Sequence, residues 1–104
     1  NGLIGRNELE MMKSDAILIN TARGEIINQG QLIEVLQRGH LYGAALDVCT
    51  PEPIRASHQL LQIKNLLLTP HIGSATTVAR VDMGRLVCEN ISRFLIIYLS
   101  NRSN

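Results

Sequence analysis

The chain has almost no net charge and few cysteines, and each of these features excludes a class of protein. Ten basic residues against nine acidic ones give a formal net charge of +1, so no charge excess points to nucleic acid or to an anionic membrane. The two cysteines, Cys49 and Cys88, show neither a metal-ligand spacing nor the density of a secreted disulfide framework. We therefore interpret both as free thiols in a reducing compartment, and we expect no bound metal.

Several short motifs of nucleotide and hydrolase chemistry are also missing. No Gly-x-Gly-x-x-Gly element follows an apolar run, so the turn that binds the pyrophosphate of a dinucleotide is absent. No Walker-type loop, His-Glu-x-x-His or Gly-x-Ser-x-Gly element is present, which argues against a nucleoside triphosphatase, a zinc protease and a hydrolase. The first residues show no charged and then apolar leader, and we expect a cytoplasmic protein.

What the sequence does contain is an alternation of short apolar runs and amphipathic stretches. Three apolar runs have the length and the continuous pattern of buried strands, at 16–19, 42–48 and 66–68. Residue spacing and capping signals predict helices at 7–13 with Asn7 as cap, from the cap Asn28 to the stop Gly39, as one turn at 59–62, and from 75 to about 99. Within the second helix, the apolar face consists of Leu32, Ile33, Val35 and Leu36.

This order of elements predicts an α/β protein with a parallel sheet of about three strands and flanking helices. A chain of 104 residues has room for about one domain, yet so small a sheet leaves exposed edges that proteins normally cover. The end of the last helix, 94–99, is apolar all round, but a membrane span needs about 20 apolar residues. We therefore expect no membrane segment, and we interpret the chain as part of a larger protein.

A polar motif ends or follows each predicted strand. The three motifs are Asn20-Thr21-Ala22-Arg23-Gly24, Asp47-Val48-Cys49-Thr50-Pro51-Glu52-Pro53, and Thr69-Pro70-His71-Ile72-Gly73-Ser74. Ligands of open α/β sheets bind beside the carboxyl ends of the strands. The three motifs therefore predict one site spread over three loops.

Each charged or titratable side chain in these motifs has a chemical role and an ordinary alternative. Arg23 could bind a carboxylate through two parallel hydrogen bonds, or be a surface arginine with Gly24 as its turn residue. His71 could exchange a proton with a substrate oxygen, or cap the next helix. Glu52 could hydrogen-bond the second ring nitrogen and favour the imidazolium, or be a solvated loop acid. Asp47 could accept a bond from a cofactor amide, or cap the loop that follows it.

At these motifs the chain resembles the D-isomer-specific 2-hydroxyacid dehydrogenases. The three motifs are similar to signatures of that family in the same order and with similar spacing, and the second and third are most similar to its glyoxylate/hydroxypyruvate reductases. The resemblance covers nearly the whole chain. It implies that residues 1–104 form the C-terminal half of a Rossmann-like, doubly wound NAD(P)-binding domain that ends in a long helix, without the glycine-rich half and without the substrate domain.

The resemblance also implies an activity and a set of residue roles. The cofactor is NAD or NADP, and the reaction reduces a small 2-oxo acid, glyoxylate or hydroxypyruvate, to the 2-hydroxy acid. The catalytic residues are then Arg23, Glu52 and His71, and the substrate contacts are Arg23, His71 and Ser74. The matching cofactor contacts are Thr21, Ala22, Asp47 and Gly73. We expect the full-length protein to be a homodimer.

Two other interpretations stay open from the sequence. The same family includes transcriptional corepressors, so a non-enzymatic protein that responds to NAD(H) is one alternative. The other is an inactive truncated product, because half of a doubly wound sheet leaves an exposed edge and the isolated chain is expected to be poorly stable. The preference for NAD or NADP is not decided, since the residue that contacts the ribose lies in the missing half.

Overall fold

A computed structural model describes residues 2–100 of the chain. Its helices and strands alternate in the order α1 (Arg6–Met11), β1 (Ile17–Asn20), α2 (Gln29–Gln37), β2 (Gly43–Leu46), β3 (Leu66–Leu68) and α3 (Thr77–Ser100), with single 3-10 turns at Gly24–Ile26 and Gln59–Gln62. The described chain divides into two units, the first ending at Ile72 and the second beginning at Gly73. The predicted α/β class is confirmed.

The three strands form one parallel sheet in the order β1-β2-β3. Asn20 is paired with Leu46, and Leu46 is paired with Leu68. Each of these is the last residue of its strand, so all three strands end at the same level. The loops that follow them therefore start side by side at one edge of the sheet.

The core of the first unit is built around α2. All four residues of its predicted apolar face are buried, and they pack with Leu9 of α1 and with Ala44 and Leu46 of β2. The predicted cap is also confirmed, because the Asn28 side chain accepts a hydrogen bond of 3.2 Å from the Gln31 amide. The cap and the core packing therefore hold the backbone of α2 in place, including its first residues.

Burial of the sheet on both faces is a prediction that proves wrong for the described chain. Ile17 is 55% exposed, Ile19 is 66% exposed and Leu67 is 63% exposed. Side chains alternate between the two faces of a strand, and Leu18 lies on the face that packs against the core. The core of the first unit covers that face, whereas the residues on the other face remain exposed.

The first helix begins and ends earlier than predicted. It starts after Gly5, whose amide donates a 2.8 Å hydrogen bond to the Glu8 carboxylate. The next amide, that of Arg6, donates to the side-chain oxygen of Gln31 at 2.7 Å. These two bonds satisfy amides that the helix itself leaves without partners, so Asn7 is not the cap.

In the second unit, α3 begins two residues later than predicted and none of its residues is buried. Arg85 forms ion pairs with Asp82 and Glu89 along its surface. No helix within residues 2–100 combines the length and the apolar character needed to cross a membrane.

Candidate active site

Three loops leave the sheet at the level where the strands end. They are the arginine loop (residues 21–24), the acidic loop (residues 47–53) and the histidine loop (residues 69–72). The Asp47 amide donates to the Asn20 carbonyl at 2.9 Å, and the Thr69 amide donates to the Leu46 carbonyl at 3.0 Å. The ladder of the sheet thus continues into the first residue of the acidic and histidine loops, which keeps the loops adjacent.

The arginine loop is shaped by Asn20, which is 7% exposed. Its side-chain oxygen accepts from the Ala22 amide at 3.0 Å, and its side-chain nitrogen donates to the Arg23 carbonyl at 2.9 Å. This Asx-type turn leaves Thr21, Ala22 and Arg23 exposed at the end of β1. Asn20 was not among the predicted site residues, although an asparagine at a strand end followed by a turn is the signal for such a role.

The acidic and histidine loops meet through one carboxylate. Glu52 accepts a 2.8 Å hydrogen bond from the Cys49 amide with Oε1, and its Oε2 lies 2.8 Å from Nδ1 of His71. Both side chains are partly exposed, at 35% for Glu52 and 47% for His71. The contact with Nδ1 orients the imidazole so that its other nitrogen, Nε2, is the ring atom available for chemistry.

Asp47 holds the histidine loop through two hydrogen bonds to its carboxylate. It is 7% exposed, and its Oδ1 accepts from the Thr69 hydroxyl at 2.5 Å and from the Ile72 amide at 2.9 Å. Between these two anchors His71 adopts a backbone φ of +55°, which is uncommon for a residue with a side chain and is typical of functional sites. The carboxylate therefore fixes the loop that carries the imidazole, and Thr69 is a second residue that sequence reasoning missed.

The surroundings of the acidic loop shift the pKa values of two groups in opposite directions. The hydrogen bond with His71 and then the bond from the Cys49 amide hold the pKa of Glu52 below its ordinary value of 4.5. Burial raises the pKa of the Cys49 thiol, and the nearby Glu52 carboxylate adds to this. Because the thiolate is the reactive form of cysteine, Cys49 is a poor nucleophile here, whereas Glu52 is ionised at neutral pH.

Gly24 lets the arginine loop touch the acidic loop. A Cβ atom at Gly24 would overlap the carbonyl group of Cys49 and the Thr50 hydroxyl. Its backbone φ is not in the left-handed region that favours glycine, and it is the first residue of the 3-10 turn Gly24–Ile26. The absence of a side chain is needed for the close approach of two backbones.

We expect Gly24→Ala to destabilise the first unit by about 1–3 kcal/mol, because overpacking against a backbone cannot be relieved by a side-chain rotation. The matched control is Gly30→Ala in α2, where a Cβ meets its nearest neighbour at 3.7 Å. That substitution should be neutral or stabilise by up to about 1 kcal/mol. Urea unfolding curves of the three proteins measure the difference, and equal midpoints for Gly24→Ala and the parent would contradict the assignment.

Two open clefts flank the pair formed by Glu52 and His71. The first, of about 550 Å³, is lined by all three loops and includes Arg23, Thr50, Glu52 and His71. The second, of about 510 Å³, shares Glu52 and His71 and has a mostly apolar lining that includes Ile54 and Leu68. An arginine, a glutamate and a histidine thus line the first cleft, and these residue types can bind an anionic group and transfer a proton beside it. In the structure, Nη1 of Arg23 donates to the Ala22 carbonyl at 2.7 Å.

The other predicted site residues fall in two places. Thr21 and Ala22 lie exposed at the end of β1, in the arginine loop. Gly73 and Ser74 belong to the second unit, directly after the histidine loop, and both are exposed. Of the histidines without a predicted role, His58 accepts a 3.2 Å bond from the Leu60 amide and caps a 3-10 turn.

The lowered pKa of Glu52 gives a pH prediction with a definite sign. The stabilisation from the ionised Glu52 is present above the ordinary value of 4.5 and is lost as the pH falls through the lower folded-state pKa. Replacing His71 with leucine, which has no hydrogen-bonding group, removes the largest cause of the shift, so the pKa of Glu52 should rise. Carbon-detected NMR titration of the Glu52 carboxyl measures both values, and a Glu52 pKa that is the same in the variant and the parent would show that His71 does not hold it down.

Together, the parallel sheet and the three-loop cleft define a partial dinucleotide-binding α/β domain with an arginine, a carboxylate and a histidine at the ends of its strands. The family model of the D-isomer specific 2-hydroxyacid dehydrogenase, NAD binding domain, matches residues 1–73. The chain belongs to this family.

Individual relatives agree with this assignment. The chain is 45% identical over 92 residues to a glyoxylate reductase of Aeropyrum pernix, which covers 88% of this chain and 28% of the relative. It is 44% identical over 90 residues to a glyoxylate reductase/hydroxypyruvate reductase of Mus musculus, covering 86% of this chain and 27% of the relative. The chain therefore spans less than a third of the length of these relatives.

A solved structure gives the same result for the fold. An NADPH-dependent glyoxylate/hydroxypyruvate reductase from Sinorhizobium meliloti, crystallised with NADP and malonate, superposes with a TM-score of 0.78 at 34% identity. The match covers 88% of this chain and 28% of that protein. The Rossmann-like fold predicted from the resemblance is confirmed.

Proposed function

We propose that this chain is the catalytic-loop half of an NAD(P)-dependent reductase of small 2-oxo acids, with glyoxylate or hydroxypyruvate as substrate. The observation that carries the proposal is the pair formed by Glu52 and His71 in the same cleft as Arg23. The relatives named above supply the substrate class. The proposal assigns residues 1–104 to the C-terminal half of the cofactor domain.

In this proposal, Arg23 binds the substrate carboxylate. Arg23 lines the cleft that Glu52 and His71 also line, and a planar guanidinium can donate two parallel hydrogen bonds to a carboxylate. The Asn20 bond to the Arg23 carbonyl fixes the backbone from which this side chain extends. The substrate is thereby oriented with its keto group toward His71, with Ser74 as a further substrate contact.

His71 donates a proton from Nε2 to the oxygen of the keto group. Its Nδ1 is held by Glu52 at 2.8 Å, and the ionised carboxylate supports the positive charge of the imidazolium that gives up the proton. Asp47 keeps this imidazole in place through Thr69 and Ile72. When bound, NAD(P)H supplies the hydride that reduces the carbon of the keto group.

The residues of this chain fit the nicotinamide end of the cofactor. Thr21 and Ala22 lie exposed at the carboxyl end of β1, where ligands of such sheets bind. Asp47 and Gly73 complete the proposed contacts. The chain has no glycine-rich turn for the pyrophosphate, so these residues would hold the reacting end of NAD or NADP. A cytoplasmic location and a homodimeric full-length protein complete the proposal.

A chimeric enzyme tests this function directly. The chimera carries the aligned residues of this chain in place of the matching 92-residue segment of the Aeropyrum pernix glyoxylate reductase. We expect it to oxidise NADH or NADPH with glyoxylate or hydroxypyruvate, and we expect the isolated chain to be inactive. A chimera that folds cooperatively and binds NAD(P)H without turnover would contradict the proposal and would favour a corepressor-like function.

A further inference from the structure

We propose that Gln29 is a positioning residue that holds the acidic loop so that Glu52 faces His71. Gln29 is the first residue of α2, and it lies outside the three motifs that follow the strands. Its side-chain amide forms two hydrogen bonds with one residue of the acidic loop. Nε2 donates to the Thr50 carbonyl at 2.8 Å, and Oε1 accepts from the Thr50 amide at 3.1 Å.

The two bonds fix both the position and the orientation of the Thr50 backbone. The side-chain amide of Gln29 satisfies both backbone groups of Thr50, which in a sheet would be satisfied by a neighbouring strand. Gly24 also lies against the Cys49 carbonyl, with no room for a Cβ. Gly24 and Gln29, which are close in sequence, therefore both contact the acidic loop at Cys49 and Thr50.

The fixed backbone bears directly on Glu52. The Cys49 amide that donates to Glu52 Oε1 at 2.8 Å belongs to the residue just before Thr50. The Thr50 amide that Gln29 holds lies in the peptide next to that of the Cys49 amide, so a displacement of Thr50 would be transmitted through the Cys49 backbone and would weaken the bond that aligns the second carboxylate oxygen with His71. Gln29 thus acts on His71 through Thr50, Cys49 and Glu52.

The anchor of this chain of contacts is rigid. Asn28 caps α2 through the Gln31 amide, and Leu32 and Ile33 are buried in the core at 0% and 6% exposure. The backbone of Gln29 is therefore fixed by the cap and by the core packing of α2. A side chain extending from such a point can define the position of a loop that has no regular structure of its own.

The test uses Gln29→Met, which keeps the length of the side chain and its helix propensity, and Gln29→Ala as a second variant that favours the helix. The matched control is Gln37→Met, at the exposed last residue of the same helix. In the full chain, both Gln29 variants should raise the pKa of Glu52 and accelerate hydrogen exchange of the Cys49 amide, while Gln37→Met changes neither. The same measurements are repeated in the chimera, where the relative supplies the rest of the fold.

The expected effect of the Gln29 variants on catalysis rests on the proposed function, and it is measured separately, as kcat and KM. In the chimera, both Gln29 variants should lower kcat about 10- to 100-fold, the loss typical of a misplaced catalytic group, with little change in KM. An unchanged Glu52 pKa and unchanged Cys49 exchange in both variants would overturn the positioning role. A chimera without any turnover in which the Glu52 pKa still responds to Gln29 would leave the positioning role intact and refute the proposed function instead.

Discussion

Replacing His71 with glutamine is expected to lower kcat of the chimera by about 10²–10⁴-fold, the usual contribution of general acid–base catalysis. Glutamine is similar in size and can still donate a hydrogen bond to a keto oxygen, but it cannot transfer a proton at neutral pH. The substrate should therefore still bind, and KM should change much less than kcat. The loss would then measure proton transfer rather than a general disruption of the cleft.

The comparison for this variant is His58→Asn, a change at a histidine that caps a 3-10 turn outside the three loops. Asparagine is a good capping residue, so this control should keep both fold and activity. Steady-state oxidation of NAD(P)H with glyoxylate or hydroxypyruvate gives kcat and KM for each protein. If His71→Gln retained the turnover of the parent, the assignment of His71 as the proton donor would be refuted.

Arg23→Ala is expected to have the second large effect, which should appear mainly in KM and kcat/KM. One hydrogen bond to a charged group is worth about 1.5–3 kcal/mol, and about 1.4 kcal/mol corresponds to a factor of ten. Loss of a two-bond carboxylate contact should therefore lower kcat/KM by about 10²-fold or more. Arg23→Lys keeps the charge without the planar fork, so it should fall between the parent and the alanine variant.

The matched control for this substitution is Arg38→Ala, which removes an exposed arginine of the same unit that pairs with Glu10. Exposed ion pairs contribute about 0–1 kcal/mol, so the control should retain kcat/KM. Inhibition by a small dicarboxylate such as malonate offers a second measurement, because Arg23→Ala should weaken it while His71→Gln should affect it less. Equal kcat/KM for Arg23→Ala and Arg38→Ala would show that Arg23 does not bind the substrate.

The two substitutions are expected to separate binding from chemistry. Arg23 and His71 are brought to one cleft by loops that follow different strands, so the effects of replacing them need not be independent. A double variant of Arg23 and His71 tests this, because residues that act on the same bound substrate show non-additive losses. Additive losses would indicate that the two side chains act on separate steps.

The sequence alone determined the local structure and the types of residue in the site. The spacing of Leu32, Ile33, Val35 and Leu36 predicts the buried face of α2, and Asn28 is a sufficient signal for its cap, because both depend on residues within a few positions of each other. The apolar runs also predict the three strands. Arg23, Glu52 and His71 could be selected because parallel strands end at a common edge and the resemblance assigns chemistry to that edge.

The tertiary structure alone decided which atoms meet. The contact between Gln29 and Thr50 joins residues 21 positions apart, and that between Asp47 and Ile72 joins residues 25 apart. The exposure of Ile17 and Ile19 likewise depends on which face of the sheet is covered. Such features depend on strand register and on the paths of loops that lack regular hydrogen bonds. A local pattern of residues specifies neither the register nor these paths. Gly24 begins a 3-10 turn, which a local pattern can indicate, but its contact with the acidic loop exists only in the fold.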